Sequence, residues 1–221
     1  MPKKVITDID ELDLSKRYTY GDYLMWRFHE RVELIRGWIA RMSPAPKLKH
    51  QTTSRELVRS FLRSVDEGPD GCQVFVAPFD VILVEAKGRP EEAESVVQPD
   101  LCVVCDPQKL EDRGCMGAPD LVVEILSEST AKRDYNDKFR LYEENGVQEY
   151  WIASPMADTI EIYHRDERDR FVLLDLFDKR NTTVRGRLFP DLEIFIGDIY
   201  PGMEIISPEQ LKEEQRPYTR I

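Results

Sequence analysis

Two carboxylates and one amine occupy positions that suggest chemistry. Asp100 opens the apolar run PDLCVVC, Glu124 interrupts PDLVVEIL, and Lys138 sits in the amphipathic stretch that follows. Short β-branched runs read as strands whose alternate side chains share a face, which groups Asp100 with Cys102 and Val104, and Glu124 with Asp120 and Val122. A charge inside a central strand is rarely tolerated without a partner. Two carboxylates about 4 Å apart repel by roughly 4 kcal/mol at an effective dielectric near 20, so they stay ionised together only beside a cation. Oxygen ligands without a His or Cys set point to Mg²⁺ or Mn²⁺, held by Asp100 and Glu124. Mg²⁺ completes its shell with water and phosphate oxygens, which implies phosphoryl chemistry. Lys138 lies one turn from Tyr135, Leu141 and Tyr142 and so borders the inward helix face. There it can stabilise charge on an attacked phosphate and orient or deprotonate the water.

The elements that must bring these groups together are legible in outline. Thr19 caps a short helix through Phe28, and RVELI and WIARM flank the tight turn Arg36-Gly37 as a hairpin. Met42 to Pro46 breaks regular structure. Leu57, Val58, Phe61, Leu62 and Val65 form one face of a helix from His50 to Glu67. CQVFVAPFDVILVE reads as one strand, bulged or edge-exposed at Pro78, and Ala86 to Val96 as a charged loop. PDLCVVC and PDLVVEIL are the central strands. A helix capped within Ser127 to Thr130 runs to Asn145, where Gly146 closes it, and EYWIAS returns as a strand. TIEIYH and FVLLDLF flank the turn RDERDR as a last hairpin. This mixed order predicts an α/β (α+β) fold, with helices against a partly antiparallel sheet. Residues 1–18 are expected to form an arm, 19–200 a single domain and 201–221 a tail.

The composition narrows the classes. The chain has 221 residues, 41% hydrophobic and 10% aromatic, enough for a sizeable core and too apolar for disorder. No apolar run approaches a membrane span, and the start, MPKKVITDIDELDL, turns acidic where a signal peptide turns apolar, so a soluble, cytoplasmic protein is expected. The net charge of −11 argues against indiscriminate nucleic-acid binding. Cys102 and Cys105, three residues apart in a strand, are too distant for a disulfide and point to opposite faces, which excludes a zinc knuckle. All four cysteines are expected as buried thiols.

The motifs VELIRGWIARMSP, His50 opening a helix, QPDLCVV, PDLVVEILSEST and YNDKFRLYEENGVQEYWI, in this order, resemble Uma2-type (DUF820) proteins. These are a branch of the PD-(D/E)XK restriction-endonuclease-like superfamily, and the resemblance spans about Tyr20 to Tyr163. It implies a restriction-endonuclease-like core, with the superfamily's first acid on Asp100 and the acid of its D/E-x-K on Glu124. The lysine slot two residues on is Leu126, a departure, and the resemblance selects Lys138 from the following helix instead. Glu33 matches a further acidic position, and His50, Asp80 and Gln98 match supporting ones.

Blander roles compete. Asp100 can cap a turn, Glu124 can be a structural buried acid, and Lys138 can make a surface ion pair with Asp134. Glu33 can alternate outward in its hairpin, and His50 can be a polar helix-start residue. Arg55, Arg59 and Arg63 form a helix stripe suited to a phosphate backbone or simply to solvent. Trp26, Trp38 and Trp151 read as core or interface residues. The leading expectation is a Mg²⁺- or Mn²⁺-dependent nuclease acting on DNA as a homodimer, with Asp100, Glu124, Lys138 and Glu33 catalytic. The rivals are a non-catalytic dimeric regulatory or interaction domain on the same scaffold, and hydrolysis of a smaller phosphoester.

Overall fold

A computed structural model describes residues 4–42, 47–66, 71–84, 88–207 and 209–210. The segment Ser43 to Pro46 of the expected break, Glu67 of the first long helix, residues 86–87 of the charged loop and most of the tail beyond residue 207 lie outside them.

The chain opens with a 3₁₀ turn, Ile9–Glu11, and helix α1, Tyr20–Tyr23. Thr19 and Asp22 form the capping box that starts α1. Strands β1 (Val32–Ile35) and β2 (Trp38–Arg41) form the anticipated hairpin. Arg36 and Gly37 both have positive φ, as a two-residue turn matched to strand twist requires. Helix α2 spans Leu48–Phe61 and continues as a π-helical turn, Leu62–Asp66. Strands β3 (Gln73–Val76), β4 (Val81–Ile82), β5 (Val96–Val97), β6 (Leu101–Val104), β7 (Leu110–Glu111), β8 (Gly114–Met116) and β9 (Leu121–Ile125) follow. The next helix is built in three parts, α3 (Ala131–Arg133), a π turn (Asp134–Lys138) and α4 (Phe139–Asn145). Gly146, in the left-handed conformation, ends it. Then come β10 (Glu149–Ser154), the hairpin β11 (Thr159–Arg165) and β12 (Phe171–Phe177), the small sheet β13 (Thr183–Arg185) with β14 (Glu193–Phe195), and α5 (Ile196–Ile199).

Two six-stranded mixed sheets result, ordered β2-β1-β5-β4-β8-β7 and β12-β11-β10-β9-β6-β3. In the second, β6 and β9 are central as expected, antiparallel to each other, while β9 and β10 run parallel around the α3–α4 crossover. Strand alternation sends Leu101, Val103, Leu121, Val123 and Ile125 to one face, where Leu57, Phe61, Ile194, Ile196 and Ile199 cover them. Cys102, Val104 and Val122 take the other face, beneath Leu141 and Tyr142 of α4 and Val81 and Val97 of the first sheet. Buried on both sides, these strands are almost continuously apolar.

Three expectations need correction. The helix capped by Thr19 ends at Tyr23, not Phe28. CQVFVAPFDVILVE is two strands: after β3, on the edge of the second sheet, Ala77-Pro78 is cis and the chain crosses to the first sheet as β4. Nor are all four cysteines thiols. Cys72 and Cys105 form a disulfide, because Gln73 pairs with Val104 across β3 and β6 and places the flanking cysteines opposite each other. Cys102 and Cys115 are free and buried. Among the described residues no helix is long and apolar enough to cross a membrane.

The apolar residues Leu192, Ile194, Ile196 and Ile199 are buried in the chain's own core. Edge strand β12, in contrast, exposes Val172, Leu173, Leu174 and Leu176. Trp26 and Trp151 are buried and Trp38 is exposed.

Candidate functional site

The site lies where the β6–β9 face, the α3–α4 crossover and the first sheet meet. Leu101 pairs with Val123, so Asp100 stands opposite Glu124 at the open end of the ladder. The Asp100 carboxylate accepts the Ile125 N–H at 2.8 Å through Oδ2, and its Oδ1 lies 3.5 Å from His50 Nε2, in the first turn of α2. Glu124 is buried and accepts from Lys138 Nζ at 2.8 Å and from Tyr142 Oη at 2.7 Å, both through Oε1. Lys138 also lies 2.9 Å from Glu33 Oε1 and 4.0 Å from Asp134 Oδ1.

Glu33 therefore does not alternate outward. It is 1% exposed in β1, accepts the Gln98 N–H at 2.9 Å, and has Arg133 3.8 Å from its other oxygen. Gln98 in turn donates to Asp80 at 2.7 Å and accepts from Arg31, while Tyr23 Oη donates to Asp80. Asp80 is fixed through its backbone as well. Its carbonyl accepts from Cys115, and a Cβ on the neighbouring Gly114, at φ +136°, would stand 2.1 Å from that oxygen. A chain of polar contacts thus runs from the first sheet into the buried acids.

Among the described residues three buried acids, Glu33, Glu124 and Asp134, surround the Lys138 ammonium, with Arg133 beside Glu33 and His50 beside Asp100. Burial pushes Glu124 well above the ordinary carboxylate range; Lys138 opposes this, but Asp134, Asp100 and Glu33 add to it. Burial likewise lifts Asp134 to about 6 against the pull of Lys138. For Lys138 itself burial favours the neutral amine, yet Glu124, Glu33 and Asp134 outweigh it and raise its pKa. This favours the ammonium form, in which Lys138 donates hydrogen bonds to the acids around it. His50 follows the same pattern, with Asp100 outweighing burial and raising its pKa. Its Nδ1 is buried without a hydrogen-bond partner among the described residues.

Glu33, Gln98, Asp100, Glu124, Lys138 and His50 all line one cavity of about 630 Å³. Asp80 stands behind it through Gln98. Arg55 and Arg59 lie apart, paired with Glu56 on the outer face of α2. Arg63 is exposed on the π-helical turn that follows and does not line the cavity. Asp134 and Arg133 were not singled out by the sequence, although both line the cavity. The Asp134–Lys138 spacing was visible, but it reads as a surface pair, whereas both residues are buried on the π turn.

This arrangement has relatives. Residues 21–197 match the Uma2 family, described as "Putative restriction endonuclease". The chain belongs to the Uma2 family. Two proteins of Synechocystis sp. (strain ATCC 27184 / PCC 6803 / Kazusa) are similar along most of their length. The one called slr1290 is 30% identical over 157 residues, covering 70% of this chain and 77% of the relative. The second, sll1609, is 27% identical over 167 residues, covering 73% and 89%. The crystal structure of "a putative nuclease belonging to DUF820" from Anabaena variabilis ATCC 29413 superposes with a TM-score of 0.63 at 20% identity. It covers 82% of this chain and 97% of that one, and so shares the fold. The restriction-endonuclease-like core expected from the Uma2 resemblance is the architecture found.

The Uma2 chain departs from the D/E-x-K pattern at Leu126, and the geometry shows how the ammonium reaches Glu124 regardless: it arrives from the crossover helix. Among the described residues no group of three or more His, Cys, Asp or Glu is placed to hold a metal. The two acids Asp100 and Glu124, opposed across a ladder and opening on a cavity, suit a hard cation that keeps water and substrate oxygens in its remaining positions.

Proposed function

We propose that the protein is a metal-dependent nuclease that hydrolyses phosphodiester bonds of DNA. The observation that carries this reading is the Lys138 ammonium held between Glu124 and Glu33 on a cavity floor that Asp100 also faces. Asp100 and Glu124 are the proposed ligands for Mg²⁺ or Mn²⁺. When bound, such an ion lowers the pKa of water and offsets charge on a phosphate.

The chain's own residues supply orientation and charge. Lys138, kept protonated by its acidic neighbours, donates to a phosphate oxygen as negative charge develops and holds Glu124 in place. Glu33 fixes Lys138 from the opposite sheet, and the Gln98–Asp80–Tyr23 contacts fix Glu33. His50 stands beside Asp100, whose carboxylate raises the imidazole pKa. In the reaction a water oxygen bonds to phosphorus, one P–O ester bond breaks, and the water proton leaves to solvent as the departing oxygen is protonated.

The non-catalytic alternative is favoured by one observation: Lys138 already has carboxylate partners and needs no ion for a stable structure. Calorimetric titration with Mg²⁺ or Mn²⁺ in the presence of an oligonucleotide separates the two, since uptake supports the nuclease. The direct test is cleavage of labelled DNA by purified protein with either ion. Loss in Glu124→Gln and Lys138→Ala variants that remain folded supports the reading, and equal activity in those variants opposes it. We also propose a homodimer through edge strand β12, which exposes Val172, Leu173, Leu174 and Leu176. Light scattering of wild type and Leu174→Asp tests it.

A further inference from the structure

The walls of the cavity differ in chemistry from its floor. Leu48, the first residue of α2, is 82% exposed, and Met156, in the turn between β10 and β11, is 67% exposed, yet both line the same cavity. Large apolar side chains this open contribute little to a core, and two of them at one mouth make a contact surface. They are held as a pair: Lys49 Nζ donates to the Pro155 carbonyl at 3.4 Å, tying the start of α2 to the β10–β11 turn. Lys47 and Lys49 flank Leu48 in sequence and also line the cavity, Lys47 with its ammonium 2.9 Å from the Glu128 carboxylate at the same mouth, so exposed ammonium groups stand beside the apolar pair within reach of a phosphate that competes with Glu128.

The reacting groups lie deeper, with Glu124 and Lys138 each 4% exposed. A paired duplex carries its phosphates on the outside of a cylinder and keeps its bases stacked within. It can touch the mouth, but it offers no base to Leu48 and Met156 and cannot follow the walls to the floor. An unpaired strand can do both, because its bases are free to leave the stack and rest on apolar side chains while the backbone follows the lysines. A volume of about 630 Å³ is on the scale of a small-ligand site, not of a duplex groove.

We infer that the substrate enters this cavity as an unpaired strand, one base resting on Leu48 and Met156 and the adjoining phosphates on Lys47 and Lys49. The inference rests on the nuclease reading and narrows its substrate to single-stranded DNA or single-stranded segments of duplexes. The test uses a fluorescein-labelled oligodeoxynucleotide, alone and annealed to its complement, with Mn²⁺. The free strand is expected to be cut at least about tenfold faster than the duplex. Leu48→Ser with Met156→Ser is expected to slow single-strand cleavage by about tenfold, the effect of one lost base contact, without changing the melting temperature. Equal or faster cutting of the duplex, or an unchanged single-strand rate in the double variant, overturns the inference and leaves the nuclease reading standing. If wild type cuts neither substrate, the nuclease reading fails, and anisotropy of the labelled strand then decides. Binding that the double substitution does not weaken overturns this inference too.

Discussion

Lys138 Nζ lies 2.8 Å from Glu124 Oε1, and both residues are buried. The pair is not a simple salt bridge, because Glu33 and Asp134 crowd the same ammonium. The two partners should therefore respond differently to neutralisation. Lys138→Ala strips from Glu124, Glu33 and Asp134 the buried ammonium they share and should cost about 3–5 kcal/mol, the scale for breaking a buried pair. Glu124→Gln removes a charge that burial and neighbouring carboxylates already disfavour, and Lys138 keeps Glu33. Its stability should stay within about 1 kcal/mol of wild type while DNA cleavage is lost. Urea denaturation beside a cleavage assay measures both. A Glu124→Gln variant as unstable as Lys138→Ala would make Glu124 a structural acid.

Cation binding should be visible without any substrate. Because an ion that binds only the native state stabilises it by mass action, Mn²⁺ or Mg²⁺ should raise the melting temperature. At about one hundred times the dissociation constant the gain is about 2.7 kcal/mol. Asp100→Asn and Glu124→Gln should each abolish the shift, whereas Arg55→Ala, on the outer face of α2, should retain it. Ion uptake should also release protons, since Glu124, its pKa raised by burial, must be ionised to bind.

Asp134 gives a pH signature. Burial raises its carboxyl to about 6 from 3.8, so the folded state holds a proton that the unfolded chain has lost across that interval. Stability should therefore fall as pH rises from about 4 to about 6, and this contribution should be constant above both values. Asp134→Asn, which cannot titrate, should remove this component. Denaturation midpoints of wild type and variant at pH 4.5, 5.5 and 7 should diverge progressively, and parallel curves would place Asp134 in a more solvated setting.

Much of the positioning was legible because it depends on local periodicity. The alternation grouped Asp100 with Cys102 in β6 and Glu124 with Val122 in β9, and the helical spacing of Lys138, Leu141 and Tyr142 turned the lysine inward, although Tyr135 on the same turn is exposed. What stayed hidden depends on register and on packing between sheets. Nothing local reveals that β1 docks Glu33 onto Lys138, because that contact crosses two sheets; the family resemblance alone pointed to Glu33. The change of sheet at Ala77-Pro78 looked like a bulge, since both halves are β-rich. The burial of Asp134 follows from how the π turn packs, which a charge pair at i, i+4 does not disclose.

The Cys72–Cys105 bridge is the last consequence of register. It closes a loop of 33 residues in sequence separation and ties edge strand β3 to β6. Such a closure restricts the unfolded chain by about 3–4 kcal/mol. Both cysteines belong to or pack against the core on the face of the second sheet opposite the carboxylates. Reduction should therefore lower the melting temperature while leaving most of the cleavage rate intact. Thiol titration in denaturant should count two groups before reduction, Cys102 and Cys115, and four after it. Cys72→Ser with Cys105→Ser should reproduce the reduced protein in both assays. Four reactive thiols in the unreduced, unfolded chain would mean the bridge does not form, and β3 and β6 would then be joined by their antiparallel ladder without it.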